Sequence, residues 1–396
     1  MEEPGKGLSG GMNVFLRGLL RGFSGRGIAT DVLTRATGDA VELSTPFPGI
    51  RIFHVPCGWK NPPTRRSAFE SLDAFILRCR RLMREERIAP RVVSAHYWMS
   101  GVAARRLAEA PMVLAYHTVE ARKVPPGGLR RDPLAGIRRK EEERLAEEAV
   151  RVVFFSEYDL AETAKGIPSL PGKGVVIPPG VEDRFRRVPS REVARAFVGL
   201  PGDRAVLLLA GRGDAGKNAK DALAAFRSVR RQRKGRVLLL VAGQRGAAAG
   251  DVTFLGPVPH GGMPMLFAAA DGVVCPSRYE SFGLVQLEAL ASGAPVIVPE
   301  GTYWGEEVRA EGGGLVYDPE DPAGLSGAIR RLLSDPALRA RLSLEGPRAA
   351  APFTWEKCTA SWEALLASAS RSRSPRRPPR ARAGRRRRCT AAADAS

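Results

Sequence analysis

The sequence lacks the features that mark disulfide-stabilised, membrane-spanning and exported proteins. Its five cysteines are scattered over 396 residues without metal-ligand spacing, and an odd number argues against a disulfide framework. No apolar run reaches the roughly 18 residues that a transmembrane helix needs. The polar, Gly-rich N-terminus does not have the pattern of a signal peptide. We therefore expect a cytoplasmic protein without a transmembrane segment.

Acidic residues are almost missing from the C-terminal tail, which makes the charge distribution uneven. Residues 371–396 contain ten Arg and one acid, Asp394, and so supply +9 of the net charge of +20. Only this tail is a candidate for contact with nucleic acid or with a membrane surface. No aromatic residue interleaves the arginines, which favours an accessory, disordered tail instead. The remaining charge on the body is consistent with an enzyme that handles phosphorylated substrates.

The body has enough apolar content for real cores, at 44% of all residues. Short β-branched runs alternate with helical stretches, among them expected helices at 12–26, 67–88 and 136–149, which is typical of α/β layers with parallel sheets. A Pro-Pro-Gly turn within 175–181 separates two such series. The predicted domains are 1–180 and 181–352, followed by a helix at 353–367 that crosses back to the first domain and a disordered tail at 368–396. Two doubly wound domains place a ligand in the cleft between them.

Two carboxylates are spaced eight residues apart where an expected strand turns into an expected helix. Glu280 falls in the turn at the C-terminal edge of the sheet, and Glu288 falls on the inward side of the helix. The first-turn amides of Gly283, Leu284 and Val285 would be electropositive and available to sugar hydroxyls or phosphates. Vicinal ribose hydroxyls would satisfy Glu288. Equally, Glu280 could cap the helix and Glu288 could pair with an internal Arg.

Two glycine-rich turns precede other expected helices. The buried run at 205–210 leads into a turn with Arg212 and Lys217, two cations that could neutralise a diphosphate. This turn is not a Walker loop, because the complete GxxxxGK[ST] order is absent. Gly10 and Gly11 open the helix at 12–26 and suit either close contact with an anion or a flexible turn.

Polar residues gather at the expected strand ends of the first half. They are Lys60, His96, Tyr97, His117 and Thr118. A single His at the end of an apolar strand, such as His117, is more often structural than catalytic. Arg138 lies on a charged helix, where a solvated position is the alternative to a binding role.

Together these motifs resemble glycosyltransferase family 4, whose members have the GT-B fold. The segment 276–297, which contains Glu280 and Glu288, resembles the donor motif of that family, and 178–181 resembles its interdomain segment. The N-terminal motifs at 10–14 and 95–101 are most similar to the branch that holds sucrose-phosphate synthases and D-inositol-3-phosphate glycosyltransferases. The resemblance covers about residues 4–366.

The resemblance implies a retaining glycosyltransferase that moves a sugar from a nucleoside-diphosphate sugar, with a UDP-sugar favoured, to a hydroxyl of a sugar phosphate or inositol phosphate. The implied donor-binding residues are Gly11, Arg212, Lys217, Glu280, Phe282, Gly283, Leu284, Val285 and Glu288. The implied acceptor-binding residues are Lys60, Tyr97, Thr118 and Arg138. The implied catalytic residues are His117, Arg212, Lys217 and Glu280. No Asp-x-Asp motif accompanies the donor segment, so we expect neither a metal nor a cofactor.

One departure from the family concerns the start of the chain. Only eight residues precede Ser9, so we expect the N-terminal domain to lack the strand that usually comes before the glycine pair. This departure motivates the alternative that the protein is an inactive or truncated GT-B relative that only binds a ligand.

Overall fold

The computed structural model describes residues 10–58, 64–123, 133–211, 218–233, 236–248 and 250–372. Helices and mostly parallel strands alternate along the chain, so the predicted α/β architecture is confirmed. Residues 373–396, which hold most of the Arg-rich tail, lie outside the described residues, as do Lys60, Arg212 and Lys217. Among the helices described, none combines the length and the apolar character needed to cross a membrane.

The N-terminal half contains seven strands among its described residues. Its elements are α1 (Gly11–Gly25), β1 (Thr30–Ala36), β2 (Glu42–Phe47), β3 (Ile50–Pro56), α2 (Arg65–Glu70), α3 (Leu72–Glu85), β4 (Val93–His96), α4 (Trp98–Leu107), β5 (Met112–Ala115), α5 (Pro133–Glu148), β6 (Arg151–Phe154), α6 (Glu157–Ala164) and β7 (Gly174–Val176).

The C-terminal half follows the same alternation. Its elements are α7 (Asp183–Arg186), α8 (Arg191–Phe197), β8 (Ala205–Ala210), α9 (Ala219–Gln232), β9 (Val237–Ala242), β10 (Val252–Gly256), a 3-10 turn (His260–Gly262), α10 (Met263–Ala269), β11 (Gly272–Val274), α11 (Leu284–Ala291), β12 (Val296–Pro299), α12 (Tyr303–Glu311), β13 (Gly314–Tyr317), α13 (Gly324–Ser334), α14 (Pro336–Ala350) and α15 (Trp355–Ser370).

The strands of the N-terminal half form two separate sheets. One has the order β1-β3-β2, with β2 antiparallel to β3, and the other has the parallel order β4-β5-β6-β7. Within the described residues, β1 and β4 are therefore both edge strands, and most of the β1 side chains are only half-buried. Residues 1–9, where the usual first strand was predicted to be lacking, lie outside the described residues.

The C-terminal half has one continuous parallel sheet of six strands in the order β10-β9-β8-β11-β12-β13. Its strands are short apolar runs such as Ala-Val-Leu-Leu-Leu-Ala in β8, whose four central residues are buried. Parallel strands with helices on both faces bury both of their sides, so they carry continuous rather than alternating apolar residues. The carboxyl ends of these strands therefore form one edge, which lies beside the N-terminal half.

The single helix predicted over 67–88 is wrong, because the structure divides it into α2 and α3 at Ser71. The Ser71 hydroxyl donates to the carbonyl oxygens of Ser67 and Ala68, at 2.8 and 3.3 Å. Such a side chain competes with the backbone ladder and favours a break or a bend. The strands β2 and β13 and the helices α7, α8 and α12 were not predicted either.

The last helix, α15, packs on α1 of the N-terminal half. Two glycines of α1 allow this close approach: an added Cβ at Gly18 would lie 2.3 Å from Trp355, and one at Gly22 would lie 2.1 Å from the Thr359 hydroxyl. The helix begins at a capping Thr354, whose side chain accepts from the Lys357 amide. It ends at Ser370 rather than at residue 367, so the first residues of the predicted disordered tail are helical.

Candidate active site

Glu280 lies in the turn between β11 and α11, at the carboxyl edge of the C-terminal sheet. The turn is held by Gly283, which has φ 95° and precedes the first residue of α11. An added Cβ there would lie 2.6 Å from Gln286 Oε1 and 2.9 Å from Trp304 Cδ1, so both the backbone angle and the space require glycine. The Trp304 indole donates to the Gly283 carbonyl at 3.1 Å. The first-turn amides of Leu284 and Val285 are therefore held at a fixed helix N-terminus.

Phe282 belongs to the core rather than to an open surface. Its side chain is 3% exposed and packs against Tyr303 and Phe353, with ring centroids 5.2 and 5.4 Å apart. The ring therefore fixes the turn in place, and at this position the backbone of Phe282, rather than its side chain, is available to a donor.

The predicted diphosphate-binding loop, residues 212–217, is outside the described residues, but both of its flanks lie beside Glu280. Gly211 accepts a hydrogen bond from the Gln244 amide at 3.2 Å, and the Asn218 amide donates to the Pro276 carbonyl at 3.1 Å. Gly211, Gln244, Glu280 and other residues line a cavity of about 20 Å³. That space holds about one water molecule.

Glu288 is buried, at 6% exposure, and it is paired with a histidine rather than with an arginine. Nε2 of His260 lies 2.6 Å from Oε1 of Glu288. On the other side of the ring, Arg184 donates to Nδ1 of His260 at 2.7 Å. Because Nδ1 accepts, the proton of a neutral His260 is on Nε2 and points at the carboxylate. His260 was not predicted from the sequence, where its only signal is a histidine in a Pro-His-Gly-Gly segment.

Tyr97, Thr118 and Arg138, predicted to bind the acceptor, are brought together at the ends of β4 and β5. Arg138 is 3% exposed, so the alternative of a solvated position is wrong. Its guanidinium contacts Glu142 at 2.6 Å, Glu120 at 3.1 Å and the Tyr97 hydroxyl at 3.2 Å. It also donates to the carbonyl and hydroxyl oxygens of Thr118. All three nitrogens are engaged, so Arg138 orders Tyr97 and Thr118.

His117, predicted to be catalytic, lies two residues after the end of β5 and packs against the rings of Phe15 and Phe155. Its Nε2 is 2.9 Å from Nδ1 of His96, and Nε2 of His96 is 3.0 Å from the Ser94 hydroxyl. Burial lowers the pKa of His96 to about 4 and lowers the pKa of His117 well below its usual range, with the neighbouring His96 adding to the latter. Both rings are therefore neutral near pH 7. Tyr97 and His117 each have a positive φ, 80° and 58°, which places strained backbone at both strand ends.

The two halves touch directly across the cleft. The Tyr279 hydroxyl, one residue before Glu280, accepts from the Val119 amide at 3.0 Å, and the Ser156 hydroxyl donates to the Ser281 carbonyl at 3.1 Å. Gly11 faces the donor segment, because a Cβ added there would lie 3.6 Å from Leu284. The predicted donor segment and the predicted acceptor residues therefore face the same cleft.

Two further observations on the described part of the chain concern a second groove and possible metal ligands. A wider groove of about 640 Å³ is lined by residues 29–31 and 45–51 and contains none of the predicted site residues. The described residues contain no group of three or more His, Cys, Asp or Glu side chains able to hold a metal ion.

Family models match both halves of the chain. Residues 9–185 match the model described as Glycosyltransferase Family 4, and residues 190–348 match the model described as Glycosyl transferases group 1.

Individual proteins are similar along nearly the whole chain. A D-inositol 3-phosphate glycosyltransferase of Nocardioides sp. is 32% identical, over 90% of this chain and 84% of the relative. A protein of the same name from Corynebacterium jeikeium is 30% identical, over 92% of each. The solved structure of sucrose-phosphate synthase from Thermosynechococcus elongatus superposes with a TM-score of 0.81 at 25% identity, over 93% of this chain and 95% of that one. The two family matches and these relatives, together with a predicted donor segment that faces the predicted acceptor residues, lead to one conclusion: the chain belongs to glycosyltransferase family 4 and is a glycosyltransferase of the GT-B fold.

Proposed function

We propose that the protein transfers a hexosyl group, with retention of anomeric configuration, from a nucleoside-diphosphate sugar to a hydroxyl of a phosphorylated polyol. The bond from the anomeric carbon to the diphosphate breaks, and the acceptor oxygen forms its new bond on the same face. The departing phosphate takes the acceptor proton, so no protein base is needed. UDP is the favoured leaving group and inositol phosphate the favoured acceptor, by analogy with the relatives named for that acceptor. The reaction takes place in the cytoplasm.

One observation carries this proposal, namely that the Glu280–Glu288 segment faces Gly11 and the ends of β4 and β5. In the proposed complex, Glu288 binds the ribose hydroxyls through the oxygen that His260 leaves free. Glu280 binds hydroxyls of the donor sugar. The helix N-terminus at Gly283 and Leu284, together with Gly11, favours the negative charge of the donor phosphates.

Arg212 and Lys217 are proposed to stabilise the diphosphate as it leaves. Negative charge grows on the leaving group only as the bond breaks, so two cations there stabilise the transition state more than the bound substrate. The flanks of their loop, Gly211 and Asn218, lie at the same sheet edge as Glu280. The two proposed domains, 1–180 and 181–352, then close around the donor and the acceptor to complete the site.

The acceptor is proposed to lie against Lys60, Tyr97 and Thr118, with His117 close to the reacting sugar carbon. Arg138 supports this surface from behind, since its nitrogens already hold Tyr97, Thr118 and two buried carboxylates. Neutral His117 offers a hydrogen bond without a charge, which suits a sugar hydroxyl.

The proposal is tested with purified protein, UDP-, GDP- and ADP-sugars and inositol phosphates. A nucleotide that binds raises the apparent stability in a thermal-shift panel, and NMR of the product gives the anomeric configuration. We expect Glu288→Ala and Lys217→Ala each to abolish transfer while the protein stays folded. Glu311→Ala, which removes an exposed carboxylate of the same half, serves as the control and is expected to keep full activity.

A non-catalytic binding protein is the second candidate, and the separation of β1 and β4 into two sheets favours it. It predicts a thermal shift with a nucleotide but no product with any sugar donor. For the enzyme, full turnover by both Glu288→Ala and Lys217→Ala would contradict the assigned donor site.

A further inference from the structure

Three side chains form a continuous chain of hydrogen bonds at the ends of β4 and β5. Ser94 and His96 are two residues apart on β4 and therefore lie on the same face of the strand. The Ser94 hydroxyl is 3.0 Å from Nε2 of His96, and Nδ1 of His96 is 2.9 Å from Nε2 of His117. The proposed mechanism uses only the last of these three residues.

Aromatic rings enclose the two imidazoles and fix where they lie. The His117 ring is 4.9 Å from Phe155 and 5.4 Å from Phe15, and the His96 ring is 5.4 Å from Trp362, measured between centroids. Burial lowers the pKa of both imidazoles, so each ring carries one proton near pH 7. A hydrogen bond between two neutral imidazoles then requires one nitrogen to donate and the other to accept.

This requirement couples the position of the proton on His96 to the position of the proton on His117. If Nδ1 of His96 donates, Nε2 of His117 accepts, and the proton of His117 is on Nδ1. If Nε2 of His117 donates, its Nδ1 is an acceptor. Nδ1 of His117 makes no hydrogen bond with the described residues, so it is the ring nitrogen left for a substrate hydroxyl. Its character as donor or acceptor is thus set by His96.

We propose that His96 is a positioning residue for sugar transfer, which fixes the orientation and the tautomer of His117 through the Nδ1–Nε2 hydrogen bond. This inference rests on the proposed function, in which His117 contacts the donor sugar. The positive φ at His117 holds the backbone end of the same side chain, so the ring is constrained from both ends.

Two substitutions separate positioning from packing. In His96→Asn, the amide stands near the place of Nδ1 and keeps a partner for His117. In His96→Gln, the amide reaches toward the place of Nε2 and keeps the contact with Ser94 but not the contact with His117. We expect His96→Gln to lower kcat by about 10-fold, with the KM of the donor nearly unchanged, and His96→Asn to stay within about 3-fold of the wild type.

The tautomer is measured independently of turnover. The chain has four histidines, so ¹⁵N NMR of ring-labelled protein, assigned with single variants, resolves the protonated nitrogen of His117. We expect one tautomer in the wild type and in His96→Asn, and a mixture in His96→Gln, with similar melting temperatures. Wild-type kcat in His96→Gln, or equal losses in both variants, would overturn the inference alone. Absence of transfer by the wild type would overturn the proposed function and this inference with it.

Discussion

At the scale of single residues, the turn that carries Glu280 could be predicted from the sequence because its signals are local. Gly283 and Glu280 stand a few residues apart in one strand-to-helix turn, where φ and helix geometry determine the outcome. The partner of Glu288 was not accessible. His260 is 28 residues away in the chain, and only the packing of its turn beside α11 brings the two together.

The His260–Glu288 contact leads to a prediction about donor affinity. His260→Ala leaves a buried carboxylate without this partner, and an unsatisfied buried polar group costs about 1–3 kcal/mol, with a larger cost when the group is charged. We expect the dissociation constant for a nucleoside diphosphate to rise by about 10-fold, as measured by calorimetry. His260→Gln can return an N–H to the place of Nε2 and should recover most of the affinity, whereas His260→Asn should not. Equal affinity in all three variants would refute the assigned role.

At the scale of elements, the alternation of strands and helices was predictable because apolar runs and their spacing report it directly. The division of 67–88 at Ser71 was not, since a serine hydroxyl within an otherwise helical pattern gives a weak signal. The burial of Asp159 on α6 could not be predicted either, because its neighbours Arg122 and Tyr279 come from distant parts of the sequence. Arg122 lies over the Tyr279 ring at 5.5 Å, and its Nε is 3.9 Å from Oδ1 of Asp159.

Asp159 predicts how stability depends on pH. Burial raises its pKa to about 7, while Arg122 and the Tyr279 hydroxyl act in the opposite direction. The unfolded carboxyl titrates near 3.9, so between about pH 4 and 7 the folded state holds a proton that the unfolded state has lost. This contribution to stability is full below pH 4 and is lost as the pH rises to 7.

The substitution Asp159→Asn removes this titration and keeps the shape of the side chain. We expect the variant to gain in free energy of unfolding, relative to the wild type, as the pH rises from 5 to 8. Urea unfolding at four pH values measures the difference. Glu157→Gln, an exposed change on the same helix, is the control, and its difference in stability from the wild type should stay nearly constant between pH 5 and 8. A difference between Asp159→Asn and the wild type that stays constant with pH would contradict the assignment.

At the scale of the whole molecule, the two halves are linked by more than the cleft. The helix α15 leaves the C-terminal half, and its start forms an isolated bridge between Thr354 and Val181. It then lies along α1, where Trp362 reaches the ring of His96. The sequence predicted that a last helix would cross back to the first domain. The glycines that allow its close approach could not be recognised, because a glycine within a helical pattern indicates a less stable helix unless the residue that packs on it is known.

Gly22 and Gly25 stand on the same helix and give a matched pair for the last prediction. A Cβ at Gly22 would lie 2.1 Å from the Thr359 hydroxyl and 2.9 Å from Thr359 Cβ, whereas nothing lies within 4 Å of a Cβ at Gly25. Thr359 is 1% exposed and has no room to retreat. We expect Gly22→Ala to lower the free energy of unfolding by about 1–3 kcal/mol, through overpacking that displaces α15.

Gly25→Ala should be neutral or should stabilise the protein by up to about 1 kcal/mol, because it only reduces the freedom of the unfolded chain. Since α15 also packs against His96, we expect Gly22→Ala to lower kcat as well, while Gly25→Ala leaves kcat unchanged. Urea unfolding and initial rates on the two variants give both quantities. Equal stability of the two variants would mean that α15 does not pack on α1 in solution. A Gly22→Ala variant that is less stable but keeps its kcat would mean that this contact plays no part in positioning His117.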